Sequence, residues 1–225
     1  MDNFSKIRTK VYNRLCLVPD EPGEVLNKKL YEIDTEAKKC WKTLNKTAHV
    51  WSELDNTKES RNITASYRRV YNMILAYKTY GTELYDNKEL CRDIICVLES
   101  LHEKYYNSTA ERYDNWWDWV IGVPKLLLDS CILMYDEIGE VLLKGYLEAL
   151  RRFVPEIVEG EITATGANRA WLCVILIKYA SLACDENALK RGRSALDDVF
   201  SYVENVDGFY KDGSFIQHNK MPYNG

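Results

Sequence analysis

Only three of the 225 residues are histidine (His49, His102 and His218), and none of the seven cysteines belongs to a CxxC pair. Without such spacing the pattern offers no zinc site. The cysteines stand mostly in apolar helical surroundings and read as buried free thiols. Basic charge is not in excess either. A net charge of −4 argues against a general nucleic-acid binder, while leaving room for a polyanion in a locally basic cleft. Long apolar runs are missing: the one near 120–135 is broken by Lys125 and Asp129, so it is no membrane span. The N-terminus lacks the basic-then-apolar order of a signal peptide. Strand-like alternation is absent throughout.

What the chain does have is aromatic residues, sixteen Tyr and six Trp among them. Most are expected in the core, with some free to stack on the flat face of a sugar or base. The dominant period is helical. Leu90, Ile94, Val97, Leu98, Leu101 and Tyr105 form one stripe, Tyr67, Val70, Tyr71 and Ile74 another, and Leu189, Leu196, Val199, Phe200 and Val203 a third. Asp86 and Glu89 suggest a capping box ahead of the first stripe. Pro124 suits a first helical turn and Pro155 a stop. Helices are expected near 3–17, 26–47, 63–80, 88–106, 123–136, 139–153, 168–183 and 186–205. The fold class is therefore all-α, as a single helical domain over 1–225. Residues 170–177 are apolar on every side, which predicts a deeply buried helix.

Short links near 81–87, 137–138 and 184–185 predict antiparallel helical hairpins. Longer links fall near 48–62, 107–122, 154–167 and 206–225. Consecutive antiparallel helices alternate ends, so the long links are expected at one end of the bundle, where function usually resides.

Three long links have unusual content. Tyr113–Trp119 reads YDNWWDW, which is either a hydrophobic plug or a stacking platform. Thr163–Arg169 reads TATGANR at a helix start, either a plain cap or an anion site with the Asn168 amide in it. The closing segment holds His218 outside any helical stripe, among polar residues. On the alternation argument Trp116, Trp117, Asn168 and His218 reach the same end. His49 and His102 have weaker claims.

NWWDWVIGVP (115–124), TGANRAW (165–171) and DGFYKDGSFIQHNKMPY (207–223) together resemble the ordered motifs of a polysaccharide lyase family. That family includes hyaluronate lyase, chondroitin AC lyase and xanthan lyase. Residues 61–90 resemble its N-terminal helical region. The resemblance implies an incomplete (α/α) toroid, here the N-terminal part of the lyase domain without its later helices and β-sandwich domains. It implies cleavage of a uronic-acid polysaccharide such as hyaluronan or chondroitin by β-elimination, with no cofactor or metal. The expected partner is an acidic polysaccharide, not nucleic acid or a membrane, and the expected protein is a secreted monomer. By the same resemblance Asn168 contacts the uronate carboxylate, and His218 stands beside the acidic C5 proton. His218 acts as the base or supports a tyrosine that does. Asn115, Trp116, Trp117 and Arg169 bind substrate, and Lys211 and Lys220 suit an acidic glycan. The family's catalytic tyrosine falls just past residue 225, and Tyr223 matches a different one. The chain is thus expected to be a truncated N-terminal portion with little or no activity alone.

Two other readings stay open beside this one. A non-catalytic carbohydrate-binding helical module would keep the Trp platform. A glycoside hydrolase would need two carboxylates across the scissile bond, and nothing in the spacing of Asp114, Asp118, Asp207 and Asp212 selects a pair.

Overall fold

The computed structural model describes residues 2–16, 23–54, 57–158, 162–218 and 221–222. It falls into two compact units, Met1–Phe153 and Val154–Gly225. Lys220 and Tyr223 lie outside the described residues, as does Leu17 at the end of the first expected helix.

The first unit contains α1 (Asn3–Cys16), α2 (Glu24–Lys42), α3 (Ser60–Lys78), α4 (Lys88–Lys104), α5 (Val123–Leu133) and α6 (Glu140–Phe153). α2, α4 and α5 pack on α3, while α6 packs on α4. The apolar stripes explain this arrangement. On α4, Leu90, Ile94, Val97, Leu98 and Leu101 are fully buried, as are Tyr67, Val70 and Ile74 on α3. Each such aliphatic side chain contributes about 1.5–3 kcal/mol through burial. Tyr105 and Tyr71, at the edges of the two stripes, are half-buried.

An aromatic cluster fills the centre. Tyr67 donates its hydroxyl proton to Tyr146 Oη at 3.2 Å, and Tyr146 donates onward to the Leu98 carbonyl at 2.6 Å. Tyr106 donates to the Trp119 carbonyl at 2.8 Å. Burial raises all three phenol pKa values well above the ordinary one, so each serves as a neutral donor.

Helix ends show where local chemistry overrides period. α4 starts one residue later than the capping-box reading: Asn87 is the cap, its Oδ1 accepting the Leu90 N–H at 2.9 Å. Asp86 instead takes a left-handed φ of 53° and pairs with Lys88. α2 stops at Lys42, short of the expected 47. There Asn45 Oδ1 collects the N–H groups of Thr47 and Ala48, an Asx turn that competes with helix. The short links do share one end of this unit. Lys78, at the end of α3, pairs with Glu137 of the α5–α6 link at 2.5 Å, and the Tyr77 carbonyl accepts the N–H of Asp86.

The second unit contains α7 (Pro155–Val158), α8 (Gly166–Ala183), α9 (Glu186–Asp197) and three short strands, β1 (Gly208–Phe209), β2 (Phe215–Gln217) and β3 (Met221–Pro222). Pro155 opens a one-turn helix instead of merely ending its predecessor, as its fixed φ permits. α8 is less enclosed than its composition suggests. Leu172, Cys173, Ile175, Leu176 and Tyr179 are buried, but Val174 is 38% exposed.

α9 ends at Asp197, followed by a 3-10 turn, Asp198–Phe200, and not near 205. Beyond it the backbone pairs with a strand, the Val203 N–H donating to the Phe209 carbonyl at 2.8 Å. The strands form an antiparallel sheet in the order β1-β2-β3, with Phe209 opposite Phe215 and Gln217 opposite Met221. They are too short for alternation to register. Only the Asp212-Gly213 turn, with Gly213 at φ 86°, marks the first hairpin in the sequence.

All seven cysteines are free. Burial pushes the Cys131 thiol up, whereas Cys184 is exposed, unlike the buried state expected for most. Alkylation followed by mass spectrometry should label Cys184 first and Cys131 only after denaturant is added. Labelling of both at one rate would contradict this packing.

Candidate functional site

In the first unit the aromatic link divides between core and surface. Trp119 is the plug: it is 2% exposed, and its indole N–H donates to the Tyr113 carbonyl at 2.9 Å. Trp116 is 51% exposed, and Trp117 is half-buried. The link is anchored at the first residue of α3. Ser60 Oγ donates to Asp118 Oδ2 at 2.7 Å and accepts the Asn115 N–H at 3.1 Å. Thr64 Oγ1 donates to Asp118 Oδ1 at 2.6 Å. Asp114, at φ 57°, accepts the Ser60 backbone N–H at 3.0 Å.

Asn115 Oδ1 accepts the Trp117 N–H at 3.1 Å, which starts the turn that carries both outer tryptophans. A π-helical turn, Asp118–Gly122, then leads into α5. A methyl group at Gly122 would lie 2.8 Å from both the Trp117 ring and the Thr64 hydroxyl. The bare glycine is what admits the ring.

In the second unit the start of α8 and the closing hairpin meet. Gln217 is 4% exposed, its Oε1 accepting the Ala167 N–H at 2.8 Å and its Nε2 donating to Asp207 Oδ2 at 3.1 Å. Asn168 follows Ala167 and is half-buried; His218 follows Gln217 and is exposed, at φ 56°. Neither side chain has a hydrogen-bond partner among the described residues. The long links of this unit therefore lie at the start of α8, and the 184–185 link lies at its end.

Arg169 is used internally. Its Nε donates to the Ala195 carbonyl at 3.1 Å and its Nη1 to the Ile162 carbonyl at 2.7 Å. Its Nη2 pairs with Asp198. The guanidinium thus ties the end of α9 to the approach to α8. Lys211 is exposed. His102 is held by its Nδ1, 3.0 Å from the Tyr106 carbonyl.

The N-terminal α-helical domain model of polysaccharide lyase family 8 matches residues 17–225. The chain belongs to polysaccharide lyase family 8. It is 33% identical over its whole length to a xanthan lyase of Bacillus sp. (strain GL1), spanning 24% of that protein. It is 32% identical over 92% of its length to a hyaluronate lyase of Thermasporomyces composti, spanning 26% of that protein. Among solved structures, the Streptomyces coelicolor A3 chondroitin AC lyase in complex with chondroitin sulphate superposes with a TM-score of 0.90. It is 31% identical over 100% of this chain and 31% of that one. The Paenibacillus xanthan lyase gives a TM-score of 0.88 at 31% identity, over 99% of this chain and 21% of that one. The chain thus spans about a quarter of the length of the curated relatives it matches.

Within this family 8 domain the four loop carboxylates are engaged locally. Asp118 and Asp114 anchor the aromatic link, and Asp207 holds Gln217. The backbone N–H of Ser214, and then its hydroxyl, hold the Asp212 carboxyl below its ordinary pKa. Each of these four carboxylates thus has a local structural partner among the described residues. Reading the sequence passed over Ser60, Thr64 and Gln217.

Removing the Asp118 carboxyl strands the buried Thr64 hydroxyl and leaves Ser60 Oγ to Asp114 Oδ2 at 3.1 Å, at a cost of about 1–3 kcal/mol. Urea unfolding of Asp118→Ala should show that loss, with a much smaller one for Asp118→Asn, which keeps an acceptor. Equal stability of Asp118→Ala and the parent would remove the anchor.

Proposed function

We propose that this domain is the N-terminal catalytic segment of a polysaccharide lyase that cleaves a uronic-acid-containing polysaccharide by β-elimination. Asn168 and His218 do chemistry, and Asn115, Trp116 and Trp117 hold the glycan. The observation that carries this reading is the hydrogen bond from the Ala167 N–H to Gln217. It joins the residue before Asn168 to the residue before His218, although the two lie far apart in the chain.

The C5 proton of a uronate is weakly acidic because its loss puts a second negative charge on the carboxylate. An amide donor at that group stabilises the dianion. Preorganised donors of this kind are worth about 3–4 kcal/mol. The Asn168 amide stands in the first turn of α8, where the helix end also favours negative charge, and no other described residue takes its hydrogen bonds. His218 is exposed and serves as base or as support for a tyrosine beyond this chain. An acid then protonates the leaving oxygen at C4.

Arg169, with three of its five guanidinium N–H groups engaged internally, acts as a structural clamp. The packing of α5 on α3 and of α6 on α4 suits hairpins stacked into an incomplete toroid, completed by later helices and β domains in the whole protein. A polymer of this kind is met outside the cell, which favours a secreted protein.

In the full-length protein, Asn168→Ala should lower kcat about 10²–10³-fold, and His218→Ala about 10²–10⁴-fold. The readout is growth of unsaturated-uronate absorbance on hyaluronan or chondroitin. Unchanged turnover in both variants sinks the assigned roles, and binding without product would favour a carbohydrate-binding module.

Trp116→Ala should weaken binding of acidic oligosaccharides about three- to tenfold, the worth of one stacked ring. Calorimetry with hyaluronan oligosaccharides measures it. Unaltered affinity would remove the platform.

A further inference from the structure

We infer that Gln217 is the positioning residue of this site, setting the placement of His218 against the start of α8 through a tether to Asp207 and the Ala167 N–H. The inference rests on the catalytic reading of His218 given above. That imidazole has no side-chain hydrogen bond among the described residues. Its location follows from its backbone, and its backbone follows from Gln217. That residue is 4% exposed and uses both ends of its amide. The oxygen takes the Ala167 N–H at 2.8 Å, and the nitrogen gives a proton to Asp207 Oδ2 at 3.1 Å.

Gly166 leaves the space the amide needs. Its φ of +55° is a glycine conformation, and a methyl there would lie 2.4 Å from Gln217 Oε1 and 2.9 Å from Asp207 Cβ. A buried amide with a donor and an acceptor each matched to one partner fixes direction as well as distance. It joins β2 to the helix turn that carries Asn168. A misplacement of about 1 Å between reacting groups costs about 10²-fold in rate. A loosened tether should therefore appear in kcat before it appears in KM.

The polarity of the tether supplies the test. Gln217→Glu keeps shape and keeps the acceptor for Ala167, but it sets a carboxylate oxygen against that of Asp207. Adding Asp207→Asn restores a donor from the opposite side, while Asp207→Asn alone still accepts from Gln217. Each variant would be made in the full-length protein and assayed on whichever of hyaluronan, chondroitin or xanthan the parent turns over fastest. Rates would be taken per folded molecule, as judged by circular dichroism.

Gln217→Glu should lower kcat about tenfold or more with KM within about threefold, and the double variant should return to within about threefold of the parent. In a His218→Ala background Gln217→Glu should cost nothing further. Should Gln217→Glu fail to fold, Gln217→Asn, one methylene too short to span both partners, carries the same expectations. Full kcat in either variant, a loss that Asp207→Asn does not repair, or an equal loss in the His218→Ala background overturns the inference. A His218→Ala protein that keeps its turnover while Gln217→Glu loses it refutes the catalytic reading instead.

Discussion

The first turn of an α-helix leaves four backbone N–H groups without intrahelical acceptors, and burying them unpaired is costly. Both candidate loops in this chain are fixed by that requirement. At the start of α3 the acceptor for the Ser60 N–H is Asp114, from the link that carries Trp116 and Trp117. At the start of α8 the acceptor for the Ala167 N–H is Gln217, from the hairpin that carries His218. Neither helix uses a side-chain cap from the residue just before it. The need is met by a distant loop, and meeting it places that loop. Satisfying the helix and building the surface are one event, so both should be lost together when the acceptor goes.

Much of this was legible in the residues, for reasons that can be named. The α4 stripe is read directly because every fourth or third residue from Leu90 to Leu101 is large and apolar and ends in the core. The loops announced themselves through Trp, Gly and Asn where a helix has no use for them. The internal bonds of Arg169 were not legible, because a basic loop residue looks the same whether its partner is a sugar carboxylate or the Ala195 carbonyl. Gln217 was silent because its partner lies fifty positions earlier, beyond any local period. The strands escaped because two or three residues cannot display alternation, and α9 ended early because Val203 was claimed by Phe209.

The division within the aromatic run shows why composition alone could not choose between plug and platform. The buried plug describes Trp119, while the platform is the role proposed for the exposed Trp116. Trp119 is buried against Tyr106, their rings stacked with centroids 5.9 Å apart, while Trp116 is half in solvent. Asp118 stands between the two behaviours, its carboxyl turned to Ser60 and Thr64. Under the proposed chemistry this domain supplies an amide donor, a histidine and a stacking face. The remaining acid–base groups would come from the chain that follows in the longer relatives.

The account turns on the start of α8 as the place where a uronate is held for proton removal. The most direct measurement is a crystal structure of the full-length protein with an unreacted acidic oligosaccharide bound. The account predicts a uronate carboxylate oxygen about 2.7–3.1 Å from the Asn168 amide nitrogen, with the C5 hydrogen of that sugar on the side of His218. An oligosaccharide whose carboxylates are all held elsewhere, with the Asn168 amide left in solvent, would contradict it.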